Sequence, residues 1–399
     1  MALQVSWDKE LLADSSEMIK IKCAEEISAR TRAMILAVIL AVMLVIGLSP
    51  RDYPSRNEVL RSSDSPGLMF ADYGIAYTKP VVSKHDADEV AQSGMTTEIA
   101  VELVESTDRF GAIAVFDNGN DDSQWFLGQW RHYVILMNGD DYSYERRQPR
   151  IAADTSNLAT NRLLITITSN QAGSTFYING EVFAKKKPNF VQTLPVGGRL
   201  VLGNSADGRR PWSGTISSLA FYKVSVGPRF IRDRFAQWKQ SGEVSPPASE
   251  EPWLLYPLDE GKGTMAFDHS GNGIHLEIPI KTTILKRVFL SNDPELTLVE
   301  KLTTWDAEFN LIGFFPFGLV LAGLLAAIGI RSWVLLLFAV TAAGFGLSVG
   351  IEFIQTWMPA RRSTVLDLIL NTAGALGGAL LYRLLLQRRE KPGRTGAAI

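Results

Sequence analysis

Six polar side chains lie in the stretch 352–371, between two apolar runs: Glu352, Gln355, Arg361, Arg362, Asp367 and Asn371. Carboxylates, guanidiniums and carboxamides are costly against lipid, so at membrane depth they must turn inward and pair. Glu352 and Gln355 are three apart, and Asp367 and Asn371 are four apart, so each pair shares one helix face. Pro359, Arg361 and Arg362 make the turn between those faces, and the expected pairing sets Arg361 or Arg362 against Glu352 and Asp367. Asn310, at the start of the preceding apolar run, adds a polar group at the same depth. Three readings stay open. The arginines could hold a phosphate or carboxylate of a lipid head group, with the acids orienting them. Glu352 or Asp367 could act as general acid or base on a lipid-linked glycan intermediate, because carboxylates beside arginines at this depth have shifted pKa values. Or the seam only fixes helix packing.

A second set of residues suits saccharides. Trp125, Trp130, Tyr133 and Trp212 offer flat faces on which sugar C–H surfaces stack, although aromatic residues equally fill the core of a sandwich. The loop holding Asp117, Asn118, Asn120, Asp121 and Asp122 could give oxygens to a calcium ion, with Asp117, Asp121 and Asp122 as the carboxylate donors; the same composition also makes a solvated turn. No other cofactor is expected. Of the histidines His85, His132, His269 and His275, only the last two are close, six apart across a Gly turn, and zinc is not expected. There is no P-loop, dinucleotide fingerprint or nucleophile elbow. A net charge of -2 over 399 residues argues against a nucleic-acid partner.

Four apolar stretches position these residues: 33–48, 311–330, 333–351 and 365–386. At ~1.5 Å per residue the first is slightly short for a hydrocarbon core of ~30 Å, and spans it if Thr31 and Ser49 are included. About thirty mixed-charge residues precede it, which marks an uncleaved anchor and not a signal peptide. Lys20, Lys22, Arg30, Arg32, Arg331, Arg383, Arg388, Arg389, Lys391 and Arg394 all fall on one side if four helices cross, and that side is the expected cytoplasm. Arg51, Arg56, Arg61, Arg361 and Arg362 fall on the other side and weaken the bias. Residues 49–308 then face outward. The lone Cys23 is cytoplasmic, so the outer domain forms no disulfide.

Within 64–292 the pattern changes to short strands between turn residues. The stretches 96–106 (TTEIAVELVES) and 162–169 (RLLITITS) alternate apolar and polar residues, and STFYING ends in the Asn-Gly of a tight hairpin. Strands without intervening helices predict a two-sheet sandwich. FIRDRFAQWKQ reads as a short amphipathic helix, and 241–252 as an exposed linker. The expected organisation is a cytoplasmic segment 1–32, a transmembrane helix 33–48, a sandwich 64–292, helices two to four in 305–386, and a cytoplasmic tail 387–399. As a fold class this is an α + β multidomain membrane protein: four transmembrane helices with an inserted all-β jelly-roll sandwich.

Two resemblances sharpen the reading. GLMFADYGIAYT, LLITITSNQAGSTFYINGEVF and RLVLGNSADGRRPWSGTISSLAFYKVSV are similar to the laminin-G or concanavalin-A-like jelly roll, and YPLDEGKGTMAFDHSGNG resembles a strand-and-turn phrase that usually opens such a domain. Here that phrase comes late, so the domain is either rearranged or followed by a second partial copy. The superfamily holds lectin-like modules and glycoside hydrolases. Hydrolysis needs paired carboxylates about 5 to 9.5 Å apart, and the superfamily's Glu-x-Asp-x-x-Glu phrase is absent, so the resemblance implies binding of a glycan or polysaccharide. Second, NLIGFFPFG, EFIQTWMPAR and DLILNTAGALGG resemble the VanZ-like family of small four-helix membrane proteins, over helix one and 305–386. Asn310, Pro316, Gly318, Glu352, Gln355, Arg361, Asp367, Asn371 and Gly374 carry that likeness. The departure is a long first loop, which a chain accommodates at small entropic cost. The resemblance implies a bacterial cytoplasmic-membrane protein of the cell envelope, linked to resistance to the glycopeptide teicoplanin or to exopolysaccharide production. Its partners would be membrane lipids and an extracytoplasmic glycan. The alternative is an intramembrane enzyme acting on a lipid-linked glycan intermediate.

Overall fold

The structure is a computed structural model that describes residues 29–49, 56–61, 66–71, 73–104, 109–186, 190–241, 251–291, 305–358 and 363–389. The chain divides into two compact units, 52–287 and a second made of 1–51 with 288–399. Its longer helices are α1 (Ala29–Leu48), α2 (Lys84–Ser93), α3 (Pro228–Ser241), α4 (Trp305–Ala327), α5 (Trp333–Gln355) and α6 (Val365–Arg389).

In the helical unit, α1, α4, α5 and α6 are long and apolar enough to cross a membrane. Helix α1 begins at Ala29, so Arg30 and Arg32 lie in its first turn, and its 20 residues reach ~30 Å. Helix α4 stops at Ala327, short of the expected 330. Gly329 takes φ 106°, and the Ile328 and Ile330 amides close the last turn on the Leu324 and Leu325 carbonyls at 3.0 and 3.1 Å. Helix α5 runs past 351 to Gln355, and α6 runs past 386 to Arg389. Helices α4 and α6 touch backbone to backbone. A Cβ on Gly378 would fall 2.6 Å from Leu319 N and nearer still to Phe315 O, while one on Gly318 would strike the Ala375 carbonyl. Only glycines permit that approach.

The other unit is a sandwich. Its strands are β1 (Val59–Arg61), β2 (Leu68–Phe70), β3 (Ala76–Tyr77), β4 (Met95–Leu103), β5 (Gly111–Asp117), β6 (Trp125–Trp130), β7 (Tyr133–Asn138) and β8 (Arg150–Asp154). They continue as β9 (Arg162–Asn170), β10 (Gly173–Ile178), β11 (Glu181–Lys186), β12 (Arg199–Leu202), β13 (Gly214–Tyr222), β14 (Leu254–Tyr256), β15 (Met265–Ala266) and β16 (Leu276–Glu277). Among the described residues one sheet runs β1-β2-β13-β4-β9-β10-β11 with β14 on β13, and the other runs β15-β16-β3-β12-β5-β6-β7-β8. All strand pairs are antiparallel, and this is the expected jelly-roll-like domain.

Alternation explains the core. Met95, Ile99, Val101 and Leu103 of β4 and Leu163, Ile165 and Ile167 of β9 point inward. Ala100 and Leu164 point the other way, onto Trp238 of α3, so the first sheet is buried on both faces. Under α3, Glu98 Oε2 accepts from Arg234 Nη2 at 2.9 Å and Nε at 3.2 Å, with both side chains about fully buried. The Asn179-Gly180 turn joins β10 to β11 with φ 51° and 82°, as a two-residue hairpin of that type requires. The late LDEG phrase is part of the same sandwich. Strand β14 pairs with β13, and β15 and β16 extend the other sheet through β3, so the domain is rearranged and not copied. Asp268 organises this corner by accepting from the amides of Leu255, Ser270 and Ile274.

Candidate functional site

The polar seam ties all four helices together. Glu352 Oε2 accepts from Thr364 N at 2.9 Å, which holds the end of α5 to the start of α6. Four residues earlier on α5, Ser348 Oγ accepts from Asn371 Nδ2 at 2.9 Å. Asp367 Oδ1 accepts from Asn310 Nδ2 at 2.5 Å, joining α6 to α4, and Gln355 Nε2 donates to the Gly47 carbonyl at 2.7 Å, joining α5 to α1. Helix α6 therefore sends Asn371 to one neighbour and Asp367 to another. Glu352 and Asn371 are almost fully buried, and Asn371 Oδ1 has no acceptor use within the described residues. Arg361 and Arg362, expected as partners of the acids, lie outside the described residues.

Serine and threonine complete the seam, and the sequence reading missed them. Thr364 Oγ1 accepts from Asp367 N at 3.1 Å, the N-cap bond of α6. The phrase Ser-Thr-Val-Leu-Asp carried that signal, an N-cap threonine three residues before an acid. Ser363 and Ser291 hold the chain entering this unit: Ser291 N and Oγ both donate to Ser363 O at 2.9 Å, and Leu290 N donates to Ser363 Oγ at 3.0 Å.

The saccharide candidates separate into two classes. Trp125 and Trp212 are core residues, not binding platforms. Trp125 is fully buried against Phe116 and Phe221 and donates from Nε1 to Gln192 Oε1 at 2.8 Å. Trp212 is 3% exposed, lies beside Phe70 and donates to Gln129 Oε1 at 2.8 Å. In each case a glutamine beside the buried ring accepts from the indole N–H. Trp130 and Tyr133 stand elsewhere, as the closing cross-strand pair of the β6–β7 hairpin. Trp130 is 36% exposed, and its ring stacks on Tyr133 at 6.1 Å and 21°. The turn is Arg131-His132, with Arg131 at φ 52° and its guanidinium 5.0 Å above the Trp130 ring. His132 packs on Tyr133 at 4.6 Å and lies 3.7 Å from Asp154. Hydrogen bonds from Ser156, helped by His132, hold the Asp154 carboxyl below the usual range.

In the acidic loop, two of the three candidate carboxylates are paired with cations. Asp121 Oδ1 is 2.6 Å from Lys286 Nζ, and Asp122 Oδ1 is 3.1 Å from Arg146 Nη1. Burial pushes the Asp117 carboxyl up, and Lys286 pulls it back only in part. An ammonium and a guanidinium thus each engage one of the oxygens that calcium would compete for. Among the described residues no three acids, histidines or cysteines gather as a metal site.

Comparison with known proteins agrees with both resemblances. Residues 256–386 match the VanZ/LLP1 family model, a span that starts at Tyr256 and leaves α1 outside it. Residues 82–231 match the model of the concanavalin A-like lectin/glucanases superfamily. No curated protein sequence matches the chain. Among solved structures, a candidate carbohydrate-binding protein from Bacteroides ovatus ATCC 8483 is 19% identical over 56% of this chain and 62% of that one, with a TM-score of 0.35. Trypanosoma rangeli sialidase in complex with sialic acid is 14% identical over 46% and 29%, with a TM-score of 0.36. The CBM40 module of Ruminococcus gnavus IT-sialidase, bound to α2,3-sialyllactose, is 12% identical over 45% and 96%, with a TM-score of 0.32. The chain thus spans less than two thirds of the length of the first of these.

Proposed function

We propose that this chain is a multi-pass protein of a bacterial cytoplasmic membrane that holds a lectin-like sandwich on the extracytoplasmic side and binds a cell-surface glycan or polysaccharide. The observation that carries this reading is the stacked pair of the exposed Trp130 and the half-buried Tyr133 on the β6–β7 hairpin, with Arg131 and His132 in its turn. A flat apolar surface edged by polar donors is what a sugar ring requires: C–H faces on the rings, hydroxyls on the rim. The match of 82–231 to a superfamily of lectins and glucanases supports binding of saccharide. Orientation is supported by charge. Arg30, Arg32, Arg331 and Arg383 share the end of the bundle opposite the seam, and an excess of basic residues marks the cytoplasmic side.

The seam serves as a lock in this reading. Each of its described hydrogen bonds joins two different helices or a helix to its own cap, and this geometry supports fixed packing better than acid–base chemistry. The physiological role would lie in exopolysaccharide production or tolerance of a glycopeptide antibiotic.

The test is a glycan array probed with the full-length protein in nanodiscs, followed by titration of the best ligand against Trp130→Ala and Tyr133→Ala. Each variant should weaken binding by about tenfold, the effect of ~1.4 kcal/mol. Undiminished affinity in both variants would reject the hairpin as the site, and an array without any ligand would reject the lectin reading.

A further inference from the structure

At the end of the helical unit opposite the seam, the charged side chains among the described residues are all basic. Among its described residues, Arg30 and Arg32 open α1, Arg331 sits in the α4–α5 turn, and Arg383 lies in the last turns of α6. The described acids of this unit, Asp306, Glu308, Glu352 and Asp367, belong to the other ends of α4, α5 and α6.

Two of the arginines sit between helices. Arg32 Nη1 donates to the carbonyl of the buried Gly323 on α4 at 2.5 Å. A Cβ on Gly323 would lie 3.3 Å from Tyr382 Cε2 and 3.8 Å from Arg32 Cδ, so side chains of α1 and of the end of α6 both approach α4 at Gly323. One residue beyond Tyr382, the Arg383 guanidinium lies 5.2 Å above the ring of Trp333 on α5, and its Nε is buried without a partner. Trp333 and Tyr382 are themselves in contact, at 6.5 Å. Both arginines are half-buried, and among the described residues neither meets a carboxylate.

That arrangement is incomplete as charge chemistry. A guanidinium carries five N–H donors; Arg32 commits one to a carbonyl, and Arg383 commits none to an acceptor. Inward-facing cations at the edge of an apolar bundle are retained where an anion meets them. At that depth the abundant anions are lipid phosphates, which guanidinium forks grip with two parallel hydrogen bonds. An aromatic pair beside the cations suits the glycerol and head-group level, where Trp and Tyr concentrate.

We propose that Arg32 and Arg383 form a binding site for the phosphate of an anionic phospholipid, walled by Trp333 and Tyr382 and lodged between α1, α4, α5 and α6. The site is separate from the glycan hairpin, and it does not depend on which face of the membrane the basic end occupies.

The experiment uses the full-length protein in nanodiscs of phosphatidylcholine alone or mixed with phosphatidylglycerol. It measures the lipid retained after extraction into detergent and the melting temperature. The wild type should retain phosphatidylglycerol preferentially and melt higher in its presence. Arg32→Gln and Arg383→Gln should each reduce retention by about fivefold, whereas Gln at the exposed Arg331 should leave it unchanged. Inorganic phosphate added in lipid-free detergent should neither raise the melting temperature nor displace the lipid. If it does both, the ligand is a free anion and the lipid assignment falls. Equal retention of the two lipids by the wild type overturns the proposal, and so does undiminished retention in the Arg32/Arg383 double variant. Should that double variant fail to fold, the wild-type preference alone decides.

Discussion

The backbone contact at Gly378 in the helical unit yields the sharpest prediction, because its cost follows from distances. Replacing Gly378 by Ala puts a methyl 2.6 Å from Leu319 N and closer still to Phe315 O. A carbon needs about 3.5 Å from such atoms, so α4 and α6 must part by ~1 Å at the crossing. A gap of that size forfeits between a quarter and a half of the dispersion well for every atom pair it opens. The obstacle is helix backbone, which has no rotamer with which to yield. The expected destabilisation is therefore about 2–3 kcal/mol, near the upper end of overpacking costs. Two controls use the same chemistry. A Cβ on Gly377 meets only the Phe315 ring, at 3.3 Å, and one on Gly313 meets nothing within 4 Å; alanine at either position should lie within about 0.5 kcal/mol of wild type. The assay is unfolding of the purified chain in mixed micelles with increasing dodecyl sulfate, followed by helical ellipticity. If Gly378→Ala unfolds together with the two controls, the backbone contact between α4 and α6 is not what holds the bundle.

Other perturbations address the sandwich. Trp212→Phe removes the donor to Gln129 and leaves a buried carboxamide oxygen unmet, so urea titration should show a loss of about 1–3 kcal/mol while glycan affinity stays unchanged; weakened glycan binding would place Trp212 in the site after all. Burial holds Glu98 above the ordinary carboxylate value of 4.5, and Arg234 offsets that only in part. The folded state then keeps a proton that the unfolded chain releases, so this group's contribution is full below 4.5 and is lost as pH rises through the folded value. Glu98→Gln should remove that component, changing the slope of stability against pH by up to ~1.4 kcal/mol per unit in that window; an unaltered slope would show that Glu98 is fully ionised beside Arg234. Chelation should leave the melting temperature of the sandwich unchanged, because Lys286 and Arg146 occupy the oxygens of Asp121 and Asp122. A rise with added calcium that Asp121→Asn abolishes would contradict this.

What the sequence made legible depends on how far each signal reaches along the chain. Apolar length identifies a helix long enough to span a membrane within twenty residues, and Asn179-Gly180 identifies a hairpin within two; both are local, and the helices and the hairpin appear in the structure. The seam was half legible. Glu352, Gln355, Asp367 and Asn371 stand out as polar against apolar neighbours, but Ser348 and Thr364 are ordinary helix and cap residues until a partner crosses to them from another helix. The aromatic residues show the limit most clearly. Trp125 and Trp130 end the same six-residue strand, β6, and odd spacing alone puts them on opposite faces. Which face is the core was not written in β6 at all. It is set by Gln192, Phe116 and Phe221, which come from distant segments to surround Trp125, while Trp130 lies next to a turn and keeps its exposure. Glu98 is the same case from the other side: alternation marks it as outward, and only α3, more than a hundred residues later, turns that outward face into an interior. A single sequence therefore shows which residue types are capable of binding or catalysis. Whether they are exposed to do so is a property of the pairing between segments, and here pairing buries Trp125 and Trp212 and leaves Trp130 and Tyr133 at the end of the β6–β7 hairpin.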